Sequence, residues 1–290
     1  MENIFEYMSQ KELENIVGEP VNTQVVSANT NSYICVINGK HIVKAPTSRR
    51  SAVSLRREIN ISNVLHERSL LVQTPVWRYV ELNPVQEKSQ LKGVSFCAVA
   101  PMIEGEHPAT IDSSKLMTDL GCFLATLHKI PAISFGDVST YMDMDFKYMV
   151  DTWERQKRHK GINKERWLRF KRYLKETVLH RANEVYIQNI RPVLTHADLH
   201  VGNILVNKSG HLSGVLDFGN ASLTPEPQDV LIASRGCVNG GALLNAYQGQ
   251  IGQRVDAREK LQKTWQLARK MNVKAEQLLD RFLAKENQRG

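Results

Sequence analysis

His196-Ala197-Asp198-Leu199-His200-Val201-Gly202-Asn203-Ile204-Leu205-Val206, followed by Val215-Leu216-Asp217-Phe218-Gly219, is the stretch on which the reading of this chain turns. Each half sets its polar residues beside a β-branched or leucine run, so the pattern reads as two short strands with functional loops at their ends. Phosphoryl transfer needs one carboxylate to orient and deprotonate the acceptor hydroxyl. It also needs an amide and a second carboxylate to hold the magnesium that bridges the nucleotide phosphates. The amide belongs to the same loop as the base, because that loop must fold back to aim both at one point. Asp198 to Asn203 is five residues, and Asp217 lies fourteen beyond Asn203, across what reads as a small hairpin. Asp198 is therefore the candidate catalytic base, with Asn203 and Asp217 the candidate metal ligands. Singly, a His-x-Asp or an Asp-Phe-Gly carries little, since loop histidines and aspartates commonly cap turns. The two halves in order carry the reading.

These segments resemble the catalytic motif and metal loop of the aminoglycoside phosphotransferase family, antibiotic kinases that share the protein-kinase-like fold with choline, homoserine and macrolide kinases. Asp198-Leu-His-x-Gly-Asn203 is the bacterial small-molecule form of the motif. A eukaryotic protein kinase more often carries Arg after the histidine and Lys two places after the aspartate, where this chain has Ala197 and His200. The resemblance extends over roughly residues 20–235. It implies an α+β, protein-kinase-like two-lobe fold. The N-lobe would be a small antiparallel β-sheet with one main helix, and the C-lobe larger and mostly helical. The corresponding division is a nucleotide-binding lobe over 1–100, a hinge at 101–105, and a helical lobe over 106–290 that carries the catalytic loop and the acceptor-binding helices.

The remaining parts follow the same template. Lys44 ends an expected strand and Glu58 lies fourteen residues on, inside the following expected helix. A lysine in a nucleotide cleft must be held by an acid, or its flexible ammonium does not find the α- and β-phosphates. The phosphate-covering loop, Ser27-Ala28-Asn29-Thr30-Asn31-Ser32, has no glycine. Glycines normally let backbone N–H groups approach phosphate oxygens; the resemblance implies instead a shorter loop of hydroxyl and small residues, with Ser27 among them. In Val99-Ala100-Pro101-Met102-Ile103-Glu104-Gly105, the resemblance implies that the Pro101 carbonyl and the Ile103 amide meet the adenine edge. Proline can fill the first role because only its carbonyl is used. His128 and Asp229 match family-like positions and are expected to pack or brace rather than react, and His196 to order its loop through hydrogen bonds.

Composition bounds the rest. With 290 residues, 42% hydrophobic and 23% charged, the chain is an ordinary globular protein. No stretch approaches the ~18–20 uninterrupted apolar residues of a membrane helix, so no membrane partner is expected. The N-terminus lacks a basic region followed by an apolar run, which argues against a secretory signal. Cys35, Cys97, Cys122 and Cys237 are widely spaced and suit reduced thiols in a cytoplasmic protein. The formal charge of +8 is concentrated in 155–172 and the C-terminal tail. No nucleic-acid-binding motif accompanies it, so a solvated helix face is the preferred explanation.

Along the chain, 9–16 reads as a short helix and Thr23–Val26 as a strand. Ser32–Ile37 and His41–Lys44 flank Asn38-Gly39, the strongest short hairpin signal. Residues 51–68 read as a helix with Val53, Leu55, Ile59, Val64 and Leu65 on its apolar side, followed by strands at Val76–Leu82 and Val94–Ala100 around an Asn83-Pro84 turn. From about 101 the chain turns helical. One helix is capped by Asp112 or Ser113, another by Asn163, and two more fall within 228–249 and 256–286.

The expected activity is ATP- and Mg²⁺-dependent transfer of the γ-phosphate to a hydroxyl of a small molecule, an antibiotic such as an aminoglycoside or macrolide, with GTP an open alternative donor. A kinase of a choline- or homoserine-like metabolite or of a protein is one alternative, and a non-catalytic nucleotide-binding pseudokinase another. Intact Asp198, Asn203, Asp217 and Lys44 oppose the last. A polycationic acceptor needs convergent carboxylates, for which Asp143, Asp145, Asp151, Glu154 and Glu226 are candidates, although the basic run 155–172 is awkward for it.

Overall fold

Asn38 and Gly39 both hold positive φ, 53° and 63°, the conformations of a type I′ turn, and the Lys40 N–H closes it onto the Ile37 carbonyl at 3.0 Å. That turn sets the register of the first sheet. The computed structural model describes residues 4–6, 8–28, 32–68, 72–82, 95–111, 113–135, 138–156, 158–225, 228–230, 239–252 and 257–287. Asn29, Thr30 and Asn31 of the expected phosphate loop, the Asn83-Pro84 turn, Asp112, Glu226 and Cys237 lie outside these residues, as does 231–238 of the expected helix over 228–249.

Strands β1 (Gln24–Ala28), β2 (Ser32–Ile37), β3 (His41–Pro46), β4 (Arg78–Glu81) and β5 (Phe96–Pro101) form an antiparallel sheet of order β1-β2-β3-β5-β4. β5 is buried from Phe96 through Ala100 because both sheet faces are covered, which is why it reads as an unbroken apolar run. Cys97 and Val99 join Tyr33, Cys35, Ile37, Val43 and Ala45 against α1 (Gln10–Val17), through Leu13 and Ile16. Phe96, Ala98 and Ala100 face Leu55 and Ile59 of α2 (Arg49–Glu67). Val53 departs from expectation and is 59% exposed. It lies two residues before Leu55, about 200° round the helix, while the buried stripe follows Leu55, Ile59, Ser62 and Leu65. Burial pushes the free Cys35 thiol up to about 11 and Cys97 to about 12, which makes both inert packing groups.

The described residues of 1–126, 196–221 and 232–251 form one compact unit, and those of 127–195, 222–231 and 252–290 a second. The first also holds the hairpin β7 (Ile204–Val206) and β8 (Leu212–Val215), which brackets the catalytic segments. Within this unit Gly121, on α3 (Ser114–His128), meets α7 (Gly240–Ile251). A Cβ at Gly121 would strike the Leu243 carbonyl oxygen and lie 3.0 Å from Tyr247 N. The obstacle is backbone and cannot rotate away. Gly121→Ala is therefore expected to cost about 1–3 kcal/mol, read as a lower urea midpoint at unchanged slope.

The second unit is built on α4 (Tyr141–Arg155), α5 (Lys164–Leu174), α6 (His180–Ile190) and α8 (Ala257–Asn287), with a π-helical segment, Lys175–Leu179, joining α5 to α6. Asn163 caps α5 by accepting the Glu165 N–H at 2.8 Å, as expected from sequence. Trp153, Phe170, Leu174, Tyr186, Met271 and Leu279 pack its core. A short antiparallel pair, β6 (Val193–Thr195) and β9 (Ser222–Thr224), completes it. Among the described residues, no helix is long and apolar enough to cross a membrane.

Candidate active site

All of the groups that matter here belong to the first unit. Lys44 lies opposite Ala98 in the β3–β5 register, on the sheet face covered by α2. Its ammonium meets the Glu58 carboxylate at 2.7 Å and lies 3.6 Å from Asp217 Oδ1. Glu58 is buried within α2, with its side chain 2% exposed, so the pair sits largely out of water. Burial alone would depress Lys44, but the two carboxylates outweigh it and hold the ammonium above its ordinary value. Burial pushes Glu58 upward, against the pull of Lys44.

Asp217 takes the left-handed conformation, φ 61°, where aspartate is better tolerated than most residues. Its carboxylate accepts the Gly219 N–H at 3.3 Å. The Gly219 carbonyl in turn accepts from Ser54 Oγ at 2.8 Å and Arg57 Nη1 at 3.3 Å, which ties the turn after Asp217 to the helix that carries Glu58. Between them, Phe218 is fully buried, its ring 4.7 Å from that of His196.

In the loop between β6 and β7, buried His196 has Nε2 2.7 Å from the Leu216 carbonyl oxygen. A carbonyl accepts only a donor, so Nε2 carries the proton and Nδ1 accepts the Asp198 N–H at 3.3 Å. The chain turns through Ala197 at φ 64°, a backbone strain of roughly 1–3 kcal/mol that the surrounding bonds hold. The Asn203 amide donates to the Asp198 carbonyl at 2.9 Å, which turns its Oδ1 into an available acceptor. The Asp198 carboxylate accepts from Asn220 Nδ2 at 3.0 Å, and its other oxygen lies 3.9 Å from His200 Nε2.

This donor set fits a magnesium ion. A half-exposed Asp217 carboxylate and an oriented amide oxygen are the hard oxygen ligands that Mg²⁺ takes, and it completes its shell with water and phosphate. Among the described residues there is no cluster of three or more His, Cys, Asp or Glu of the kind an all-protein cage would need.

The structure thus joins Lys44, Glu58 and Asp217 in one charged cluster, and Asp198 to Asn203 in one loop. Ser27 stands near the end of β1, paired with Ile34. Pro101 ends β5 opposite His41, and the next residue, Met102, donates its N–H to the Lys40 carbonyl at 2.7 Å. Ile103 packs toward β8, where a Cβ at Gly214 would lie 3.0 Å from its Cγ2. Asn220, Ser54 and Arg57 went unread in the sequence. Their contacts cross 22 to 165 residues and carry no local signal.

In the second unit, His128 and Asp229 are buried 3.7 Å apart. Asp143 is consumed in capping α4, accepting from Thr140 and Asn183. Glu154 accepts from Trp167 and Lys171, which hold its carboxyl below the usual range. Asp145 accepts from Asn272 and lines a groove of about 500 Å³ with Tyr141, Trp265, Arg269, Glu276 and Asp280. Four cations of the basic run are paired. Arg158 meets Glu276 and Asp280, Arg166 meets Glu286, Arg169 meets Glu165, and Lys171 meets Glu154.

A sequence profile of the phosphotransferase enzyme family, APH, matches residues 23–263. No curated protein matches the chain. Among solved structures, the streptomycin–ATP ternary complex of APH(2")-IIa is 18% identical, covering 97% of both chains with a TM-score of 0.59. The GDP complex of aminoglycoside 2'-phosphotransferase-IIIa is 17% identical, covering 98% of this chain and 100% of that one, with a TM-score of 0.58. Macrolide 2'-phosphotransferase MphH from Brachybacterium faecium is 16% identical, over 90% and 86%, with a TM-score of 0.57. The expected protein-kinase-like α+β fold is the fold of these neighbours.

Proposed function

The chain belongs to the phosphotransferase enzyme family, and on that premise we propose that it moves the γ-phosphoryl group of ATP or GTP to a hydroxyl of a small antibiotic. One observation carries the reading: Lys44, Glu58 and Asp217 form one cluster, and the loop that follows Asp217 bonds to the Asp198 carboxylate.

The roles follow from this geometry. Asp198 orients the acceptor hydroxyl and takes its proton as the oxygen bonds to the γ-phosphorus. The bond from phosphorus to the β–γ bridging oxygen breaks, the nucleoside diphosphate leaves, and the proton passes to solvent. Lys44, fixed by Glu58, positions the α- and β-phosphates. Asn203 and Asp217 would hold magnesium, which neutralises charge on the phosphates when bound. Ser27, the Pro101 carbonyl and the Ile103 amide are assigned to the nucleotide, with 1–100 as its lobe, 101–105 as the hinge and 106–290 as the helical lobe. A cytoplasmic location, where ATP is held, belongs to the same reading.

The acceptor class is argued from two facts. Neighbours of this fold are named for aminoglycoside and macrolide substrates. Four cations of the basic run that weighed against a polycation, Arg158, Arg166, Arg169 and Lys171, are held in ion pairs, and within the second unit Asp145 and Trp265 line an open groove. A carboxylate beside an indole face suits an amine-bearing acceptor. A coupled assay of nucleoside diphosphate release, with aminoglycosides, macrolides, other hydroxylated antibiotics, choline and homoserine as acceptors, tests this reading. Turnover on one antibiotic class above the Asp198→Ala background is expected. Turnover on none, with either donor and with nucleotide still bound, would overturn it.

A further inference from the structure

We infer that Asn220 is a positioning residue that selects which oxygen of Asp198 receives the acceptor proton and keeps the base in step with the metal loop. The inference rests on the assignment of Asp198 as base. A carboxylate offers only acceptors, so the Asn220 atom 3.0 Å from Asp198 Oδ2 is the amide nitrogen, donating. Asn220 closes the short 3₁₀ turn Phe218–Asn220, which is held from both sides. The Gly219 N–H is bound by Asp217, the Gly219 carbonyl by Ser54 and Arg57, and the Ala221 N–H by the Phe218 carbonyl at 3.0 Å. The side chain that leaves this fixed turn is therefore a rigid latch from the metal loop to the base.

The latch occupies Oδ2. Oδ1, 3.9 Å from His200 Nε2, remains to meet the hydroxyl. Without the Asn220 bond the Asp198 side chain can rotate, since its other anchors, the His196 and Asn203 bonds, act on its backbone. Neither anchor fixes the carboxylate plane. Loss of the latch should thus slow the chemical step and leave nucleotide binding alone.

Two variants separate donor from shape. Asn220→Ala removes both, and Asn220→Asp keeps the shape but sets a carboxylate against a carboxylate. Both are expected to lower kcat by about ten- to a hundredfold, since small misplacements of a reacting group cost that much. The nucleotide Kd from calorimetry and the urea midpoint should stay at wild-type values. Wild-type kcat in Asn220→Asp would overturn the donor role. A raised acceptor KM with kcat intact would make Asn220 an acceptor contact instead, which also overturns it.

A readout independent of turnover keeps the two readings apart. The Asn220 side-chain amide resonance, assigned by its disappearance in Asn220→Ala, should move on Asp198→Ala. An unmoved resonance refutes the latch whatever the activity. A wild-type enzyme silent on every acceptor would count against the phosphotransfer reading, while the amide signal judges the contact alone.

Discussion

Asp198→Ala is expected to lose phosphoryl transfer by about 10²–10⁴-fold, the share a positioned general base supplies, and to bind nucleotide as the wild type does. The selectivity comes from where the loop is anchored. The Asp198 N–H donates to His196 Nδ1 and its carbonyl accepts from Asn203 Nδ2, and both bonds use backbone atoms that alanine keeps. His196 stays fixed on the Leu216 carbonyl, so the approach to the metal loop is also unchanged. Asn203 therefore keeps the orientation that aims its Oδ1. What disappears is one half-exposed carboxylate, together with its bond from Asn220, and Asn220 is exposed enough to turn to water. A matched pair of measurements, kcat on the best acceptor and calorimetric Kd for the magnesium–nucleotide complex, checks this. A kcat within threefold of wild type would remove Asp198 as the base. A parallel loss of nucleotide affinity would mean that the carboxylate holds the metal instead.

That Asp198 and Asn203 share one loop was legible in the sequence, because their spacing is a local property. The Asn38-Gly39 turn was legible for the same reason. Its two residues are those that accept positive φ cheaply, and the hairpin register follows from the turn. Lys44 and Glu58 were legible only through the template, since nothing in fourteen residues of sequence says that a strand lysine and a helix glutamate face each other.

The rest fell to contacts made at long range. Two cations of the basic run 155–172, Arg158 and Arg166, find their partners Glu276, Asp280 and Glu286 more than a hundred residues later, so that pairing left no local signal. Asp143 was a candidate acceptor ligand in composition. Three residues after Thr140 it is a capping partner, and that signal was local but went unread. Val53 shows the limit of counting apolar residues without their phase, and Asn220 the limit of reading a three-residue metal motif as if it ended at its glycine.

Lys44→Met leaves the buried Glu58 carboxylate without its ammonium partner, and is expected to cost about 3–5 kcal/mol, the usual penalty for breaking a buried pair from one side. Only 2% of the Glu58 side chain is exposed, so water cannot take over the role of the ammonium. The pH dependence has a fixed sign. Burial already pushes Glu58 up, and removing Lys44 removes the strongest opposing pull, so the folded variant binds a proton more tightly than the unfolded chain. Stability then falls as pH rises through that range, and the deficit against wild type is larger at pH ~8 than at pH ~5. The double variant Lys44→Met/Glu58→Leu replaces both charges with apolar groups and should recover most of the lost stability, since such swaps are often neutral. It should recover no activity, because no ammonium remains to set the phosphates, and a misplaced phosphate costs about a hundredfold or more. Urea midpoints for the two singles and the double at both pH values, with kcat for each, close the cycle. A single variant as stable as wild type would mean that Glu58 reaches water or another donor. Activity returning with stability in the double variant would reduce Lys44 to a packing partner of α2 and remove it from the nucleotide site.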